Sequence, residues 1–569
     1  MRWNIKQPPE DLVSSLKQEF NTSNIIAKVI ANRGFKSLET SKDFFKPSFD
    51  QLHDPFMMKN MDIAVDRIIE NIQDEIPILV FGDYDVDGTT GASLLFLGLK
   101  DLRAKVEFYI PDREKEGYGL SAGGIDHAKS IGANLLITCD CGINAFDPVD
   151  YANQMKINII ITDHHIPDKK LPNAYAVLNP KQKGCKYPFK GLCGCGVAFK
   201  LISALSEKSG LDSNVGLKFL DLVALATSAD MVPILDENRV LVHHGLEMLE
   251  NANKPGIYQL LVQTGLVGES LNVGKLVFGL APKINAAGRM GDANRTVELL
   301  TTLDNTRAEE LASILVRENK RRQLIQEDVV NDAIRMVHSQ VDLEQDKVVI
   351  IGSKGWHPGV IGIVASRIKD EFSRPAIIIS FDEDGIGKGS ARSIPNLDLY
   401  EALSNASQFL EGFGGHPMAA GLTVREDSFE NFKSVFLINV NKILTEDDLI
   451  PRISIDGEMA LIDINSRFMR FLEKLGPFGP GNMRPKFVSR KLSISGQPRL
   501  IGNGEHVRFT VSQNGRNYPA IGFKLSSHYE DLIRGVPIDL AYVVEVNEWQ
   551  GKSTIQLNVR DIQISDKTN

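Results

Sequence analysis

Only five cysteines are spread through 569 residues, too few for a disulfide framework in so long a chain and in keeping with a reducing compartment. Cys185, Cys193 and Cys195 cluster. Without a fourth partner or a Cys-x-x-Cys pair they read as ordinary reduced thiols rather than a zinc site. No apolar run approaches membrane-spanning length, and the amino terminus, MRWNIKQPPEDLVSSLKQEF, has no basic segment followed by an apolar core. The expectation is a cytoplasmic protein without a membrane anchor. An excess of positive charge is missing too, with 64 Lys and Arg against 73 Asp and Glu and a net charge of −9. This excludes a uniformly basic nucleic-acid coat, but not a basic groove on an acidic body. The length is too great for one core and implies roughly three or four domains.

Against that background stands IPILVFGDYDVDGTTG, residues 76–91. Ile78, Leu79, Val80 and Phe81 form the short continuous apolar run of a strand buried on both faces of a parallel sheet. Asp83, Asp85 and Asp87 follow where that strand stops, and ligand sites in open α/β sheets lie beyond the carboxyl ends of the strands. Three carboxylates so close repel one another unless a hard cation such as Mg²⁺ or Mn²⁺ lies among them. Taken alone, the motif fits a metal site and a solvated Asp-rich turn equally well.

The helix that follows carries Leu94, Leu95, Leu97 and Leu99 and reads as one covering the sheet. A second strand over residues 105–110 runs into the polar loop PDREKEGYGLS with Arg113, Glu116 and Tyr118. A third, 135–138, delivers Asp140 in CDCGI, and a fourth, 159–162, delivers Asp163, His164 and His165. Three strands thus end in potential metal ligands, which one site at the sheet edge explains and solvated turns do not. For one of the two histidines a surface position, or satisfaction by a nearby carboxylate, stays open. Asp230 ends the apolar stretch FLDLVALATSAD, where a lone charge is costly and a cation or basic partner is expected.

In order, DYDVD, TCDCG, TDHH and ALATSAD resemble the four motifs of the DHH phosphoesterase superfamily. The rest of the chain resembles the RecJ-type exonucleases within it, through DPFMMKNMDIAVDRI, PKINAAGRMGDA, WHPGVIGIVASRI, KGSARSI, GGHPMAAG and LGPFGPGN. One departure is Phe81, where some relatives in the wider superfamily place a metal-binding histidine; Asp83 is the candidate to replace that ligand. The resemblance implies an α/β fold, with a parallel-sheet DHH domain, a second smaller α/β DHH-associated domain joined to it by a long helix, and a C-terminal OB-like β-barrel. The expected division is an N-terminal helical segment over 1–50, the DHH catalytic domain over 51–281, a connector with the long helix over 282–340, the DHH-associated substrate-binding domain over 341–449 and the OB-like nucleic-acid-binding domain over 450–569.

The activity implied is 5′ to 3′ exonucleolytic hydrolysis of single-stranded DNA by two divalent cations, Mn²⁺ or Mg²⁺, in DNA repair and recombination. One cation falls to Asp85 and Asp140 with Asp83, the second to Asp87, Asp140, His164 and Asp230, while His165 touches the phosphate or orients a neighbour. The 5′ phosphate falls to Ser390 and Arg392 with His416 close by, and Arg113 and Arg289 line the same cleft. Without the resemblance Arg392 reads as a surface arginine. Implied partners are single-stranded DNA, a single-strand-binding protein and a helicase, with the enzyme itself a monomer. Two alternatives use the same motifs: a small-substrate DHH phosphodiesterase, and a non-catalytic nucleic-acid scaffold of this fold.

Thr306 and Glu309 have capping-box spacing, and Leu311, Ile314, Leu315, Ile325, Val329, Ala333 and Val337 then predict a long helix bridging two domains. Its centre, with Arg317, Lys320, Arg321 and Arg322, fits a phosphate-binding stripe and a solvated surface alike. A second α/β region, 347–444, has strands at VVIIG and AIIIS, and its GFGGHPMAAG reads as a glycine-rich turn. Beyond it come short alternating strands. Residues 484–524 carry eight Lys or Arg against one acid, Glu505. Interleaved with Phe487, Phe509, Tyr518 and Phe523, they suit a small barrel that holds single-stranded nucleic acid by charge and stacking, the alternative being a barrel whose aromatics are all core.

Overall fold

The computed structural model describes residues 1–113, 115–117, 119–210, 215–549 and 552–565; Tyr118 lies outside them. The chain forms two compact units, one of residues 54–230 and 244–451, the other of residues 1–53, 231–243 and 452–569.

The first of these holds two sheets. One is all parallel, with the strands in the order Val106–Tyr109, Ile78–Gly82, Leu135–Cys139, Asn158–Thr162 and Ala176–Leu178. Every residue of Ile78–Gly82 and Leu135–Cys139 is buried, as expected of strands covered on both faces. The three-residue strand Ala176–Leu178 is too short to announce itself by periodicity. After Ile78–Gly82 the chain pairs a strand on one side and then returns to the other, so the crevice beyond Gly82 and Cys139 is the switch point at which open α/β sheets bind ligands.

The second sheet runs Gly412–His416, Ala419–Arg425, Ile386–Arg392, Ala376–Phe381, Val349–Lys354. Only its last two strands are parallel to each other. The expected glycine-rich turn is a correction: GFGGHPMAAG contributes two paired strands, Gly412–His416 and Ala419–Arg425. Ala420, Leu422 and Val424 alternate into the core and fix that strand's register.

The long helix is Asn305–Gln340. Asp304, not Thr306, is its cap, accepting from the amides of Thr306 at 2.8 Å and Arg307 at 3.2 Å. Leu311, Ala312 and Leu315 are buried in its first half, which packs on helices Pro255–Thr264 and Ala281–Met290. Val329, Ala333 and Val337 join the core of the second sheet with Val349 and Ile351. It therefore does bridge the two sheets. Of its central basic residues, Arg322 is buried and bonds Gln326 at 2.7 Å and Asn319 at 3.1 Å, while Arg317, Lys320 and Arg321 are exposed. Arg322 belongs to packing.

In the other unit the strands run Gly457–Glu458, Lys486–Ile501, His506–Gln513, Arg516–Gly522, Lys552–Ile564, Ile538–Trp549, and Lys486–Ile501 pairs again with Ile538–Trp549 to close a barrel. Register shifts at Ser489/Leu492 and Ser495/Arg499 bend that long strand so that it serves both neighbours. The helices Glu10–Glu19 and Asn24–Asn32 place Val13, Leu16, Ile26 and Ile30 in the same core as Phe468, Phe487 and Tyr542. The N-terminal segment is thus part of the barrel's fold. Of the interleaved aromatics, Phe487 and Phe509 are core residues, and Tyr518 is half-buried, donating to the carbonyl of Ile464 at 2.6 Å. Phe523 alone of the four is exposed, its ring 5.2 Å from that of His506.

Arg239 ties this unit together. It is 3% exposed and donates to the carbonyls of Phe44, Lys474, Leu475, Gly476 and Pro477, with its guanidinium 3.7 Å from the centre of the Phe44 ring. Burial, then the nearby Arg33, pushes it down to about 9. Arg239→Ala leaves five carbonyls, those of Leu475 and Pro477 buried and the others part-buried, without this donor and is expected to cost about 3 kcal/mol or more. A denaturant midpoint unchanged from wild type would contradict that role.

Candidate active site

The first acidic motif is built by the turn from Ile78–Gly82 into helix Val86–Asp101. Asp85 is the cap of that helix, accepting from the Gly88 amide at 3.0 Å. Gly88 is required by crowding, since a Cβ there would lie 2.4 Å from the Asp83 carbonyl. Asp87 is buried, and its two oxygens accept from the amides of Gly194 at 2.6 Å and Cys195 at 2.8 Å, the first residues of helix Gly194–Lys208. That helix end stabilises an anion within the fold. Phe81 faces the core instead, stacked on Tyr109 at 5.7 Å, so no ligand is offered from its position.

Asp140 follows Leu135–Cys139 with φ of +62°, a conformation in which Asp and Asn are the tolerated non-glycine residues. Its amide donates to the Thr162 carbonyl at 3.0 Å, which ties the two strand ends together. His164 Nε2 lies 3.1 Å from Asp140 Oδ1, 3.6 Å from Asp230 Oδ2 and 3.8 Å from Asp87 Oδ2. Asp230 closes the group from the end of helix Leu220–Ala229.

Two sets emerge. Asp83, Asp85 and Asp140 each offer an oxygen within 4.8 Å of the others, and so do the ligand atoms of Asp87, His164 and Asp230. Asp140 also groups with His164 and His165. Burial, and after it the neighbouring carboxylates, raises the carboxyls of Asp83, Asp140 and Asp230, the last to about 9. Asp87 is also raised, chiefly by burial, with His164 opposing. Burial lowers His164 to about 4, so its imidazole is neutral and able to ligate. Asp83 Oδ1, Asp230 Oδ2 and both ring nitrogens of His164 are buried with no hydrogen-bond partner. Hard oxygen donors with one imidazole, short of partners and mutually repelling, fit divalent cations such as Mg²⁺ or Mn²⁺.

His165 is held differently. Its Nδ1 is 2.8 Å from Asp163 Oδ1, an oxygen that also accepts from the amides of His164 and His165. Asp163 Oδ2 accepts from the Ile143 amide at 3.0 Å. Burial works against both charges, but their mutual hydrogen bond leaves Asp163 lowered and His165 raised. Asp163, which the sequence analysis places at the strand end but gives to neither cation, is therefore the positioning residue for His165. Its place directly before two histidines at a strand end was the available signal.

Asn285 was also missed. Its Oδ1 accepts from the Val86 amide at 3.2 Å, and a Cβ on Gly288 would lie 2.5 Å from the Tyr84 carbonyl. Helix Ala281–Met290 thus docks on the acidic turn and carries Arg289 to it. Arg289, lowered to about 10 chiefly by burial, donates to the Gly359 carbonyl at 3.0 Å. Arg113 lies over the Tyr84 ring at 5.1 Å. Both line a cleft of about 660 Å³ with Ser390 and Arg392, where Arg392 Nη1 is 3.0 Å from Ser390 Oγ. His416 is not among the lining residues; it is exposed in the cross-strand row of Arg392 and Ala419.

Residues 77–227 match the DHH family N-terminal domain, 345–441 the DHHA1 domain and 455–561 the RecJ OB domain. The single-stranded-DNA-specific exonuclease RecJ of Bacillus subtilis is 38% identical over 568 residues, spanning 100% of this chain and 71% of that protein. The Escherichia coli protein of the same name is 33% identical, with 95% of each covered. Among solved structures, RecJ from Thermus thermophilus in complex with Mn²⁺ aligns with a TM-score of 0.84 at 28% identity, covering 99% of this chain and 80% of that one. With three domain matches in that order and identity at this level along its whole length, this chain belongs to the RecJ family of single-stranded-DNA-specific exonucleases.

Proposed function

We propose that the protein hydrolyses single-stranded DNA exonucleolytically from the 5′ end, with two divalent cations, Mn²⁺ or Mg²⁺, as cofactors. The observation that carries this is the partner-poor carboxylate and imidazole cluster in one compact unit with an arginine-lined cleft. Asp83, Asp85 and Asp140 would hold one cation and Asp87, Asp140, His164 and Asp230 the other, with Asp140 shared. When bound, such a pair lowers the pKa of water and neutralises charge on the reacting phosphate.

The chain's own residues supply position. Asp163 fixes the ring of His165 through Nδ1, which turns the imidazole into an oriented donor toward a phosphate oxygen. Arg113 and Arg289 neutralise the phosphates entering beside Tyr84, and Arg392 with Ser390 holds the terminal one. His416 is assigned an outer contact at the rim. By role the chain divides into a metal-binding part over 54–230 and 244–281, a connector over 282–340, an end-binding part over 341–449 and a strand-binding barrel over 452–569, with 1–53 and 231–243 belonging to the barrel's unit. We further assign it to DNA repair and recombination in the cytoplasm, as a monomer supplied with single strands by a helicase and a single-strand-binding protein. No described helix is long and apolar enough to cross a membrane.

Purified protein with Mn²⁺ is expected to release nucleotides from a 3′-labelled, 5′-phosphorylated single strand, to leave blunt duplex intact and to stop on addition of EDTA. Hydrolysis confined to dinucleotides would instead favour a small-substrate phosphodiesterase. Strand binding without release would favour a scaffold.

A further inference from the structure

Gly412, Gly414 and Gly421 share one face of the second sheet, and nothing inside the protein requires any of them to be glycine. Ser390 pairs with Gly421, which pairs with Gly414; Lys388 pairs with Thr423, which pairs with Gly412. Directly opposed residues point to the same side, so this is the face that carries Arg392. None of the three has a positive φ. A Cβ on Gly412 or Gly414 would meet nothing within 4 Å, and one on Gly421 only the Gly389 carbonyl at 3.9 Å. On the opposite face the contrast is plain, since a Cβ on Gly387 would lie 2.6 Å from Phe381 and one on Gly389 2.7 Å from Leu422. Glycine weakens a strand, and where neither packing nor backbone demands it, it marks a place that another molecule approaches closely.

The cleft over these glycines, about 660 Å³, is of the size that takes a whole small molecule rather than one phosphate. Its order follows from contacts. Arg113 covers Tyr84, between Asp83 and Asp85, and Arg289 reaches Gly359. A Cβ on Gly362 would be 3.2 Å from both Arg392 Nη2 and Ser390 Oγ. Lys388 is one same-face position past Ser390 along the strand, so the bare floor lies directly beside the Arg392 and Ser390 anchor, with Gly421 and Gly414 in the row of Ser390 and Gly412 in the row of Lys388.

We propose that this glycine floor is a subsite for the nucleoside on the 5′ side of the phosphate held by Arg392 and Ser390. The inference rests on the exonuclease reading and adds a rule of register: the anchor takes the first phosphate from the 5′ end, whether monoester or diester. A 5′-phosphorylated strand loses a mononucleotide. A 5′-hydroxyl strand lays its first nucleoside on the glycines, its first diester at Arg392 and its second diester at the carboxylate centre. There a water oxygen bonds to phosphorus and the bond from phosphorus to the 3′ oxygen breaks. That oxygen leaves, protonated, on a dinucleoside monophosphate, and the remaining strand keeps the 5′ phosphate.

Single-turnover reactions of the full chain with Mn²⁺ on matched 5′-phosphoryl and 5′-hydroxyl oligonucleotides, with first products identified by mass, test this. The expected first product from the hydroxyl strand is the dinucleoside monophosphate. Gly414→Val with Gly421→Val is expected to raise the phosphoryl-to-hydroxyl rate ratio at least about tenfold by filling the floor, and Gly414→Ala to shift it less in the same direction if the valine variant does not fold. A free nucleoside as first product, or equal losses on both strands, would overturn the subsite alone. Wild-type protein that cleaves neither strand would overturn the exonuclease reading and the subsite with it.

Discussion

Asp140→Asn is expected to reduce hydrolysis by about 10³-fold or more, the loss that follows when several kcal/mol of charge stabilisation is removed from the reacting centre. Asparagine is the substitution of choice because Asp140 has φ of +62°, which asparagine tolerates and alanine does not. Asparagine also keeps the Cβ packing against Gly194, where a Cβ would lie 2.5 Å from that of Asp140 and glycine is required. The amide bond to Thr162 is unaffected. What changes is charge: Asp140 is the residue whose oxygens approach both ligand sets. Without metal the variant should be more stable than wild type, since one of several buried, mutually repelling carboxylates is gone. Mn²⁺ should raise the melting temperature of the wild type and do so far less for the variant.

The pH dependence of metal-free wild type has a definite sign. Asp230 is raised to about 9 by burial and its acidic neighbours, above the roughly 3.9 of an unfolded aspartate. The unfolded chain therefore gives up its proton first. Stability on this account is greatest below that range and is lost as pH rises from about 4 toward 9. Affinity for single strands should survive Asp140→Asn, because the binding charge we propose lies on Arg113, Arg289 and Arg392, which line the cleft and are untouched by the change. Near-normal turnover of the variant in saturating Mn²⁺ would remove Asp140 from the centre.

The parts of this architecture that were legible in the sequence are those written in local pattern. Ile78, Leu79, Val80 and Phe81 announce a strand buried on both faces, and acids immediately after three such strands announce a site, because a parallel sheet delivers its strand ends to one edge. Asp163 was not legible because its role is a set of hydrogen bonds to the residues after it, which spacing does not distinguish from a ligand. Asn285 and Gly288 act on the acidic turn from some 200 positions away, through a docked helix. The same holds for the N-terminal helices, whose amphipathic faces do not say which core they complete. Phe487 and Phe509 were misread for a related reason. Alternation on a barrel strand fixes that two sets of side chains face opposite ways, not which set faces in. The glycines of GFGGHPMAAG suggested a turn because glycine usually marks one; here Ala420, Leu422 and Val424 outweigh them and hold a strand.

Arg392→Ala is expected to lose about 10- to 100-fold in kcat/KM on a 5′-phosphorylated single strand, the range set by one charged hydrogen-bonding pair. Arg392 is half-buried, and burial lowers its guanidinium, which raises the return on meeting an anion there. Its Nη1 is already positioned by Ser390 Oγ at 3.0 Å and the Ala391 carbonyl at 2.8 Å, so little order remains to be imposed when a phosphate arrives. A terminal monoester carries more negative charge than an internal diester and gains more from the arginine. The wild-type preference for 5′-phosphoryl over 5′-hydroxyl strands should therefore shrink toward unity in the variant, while Mn²⁺ still raises its melting temperature as in wild type, because no ligand of the carboxylate centre is touched. Initial rates on the two strands, measured for both proteins at equal salt, decide the matter. If the variant keeps the wild-type rate ratio, the terminal phosphate is held elsewhere, and Arg113 or Arg289, the other arginines lining the cleft, takes over the assignment.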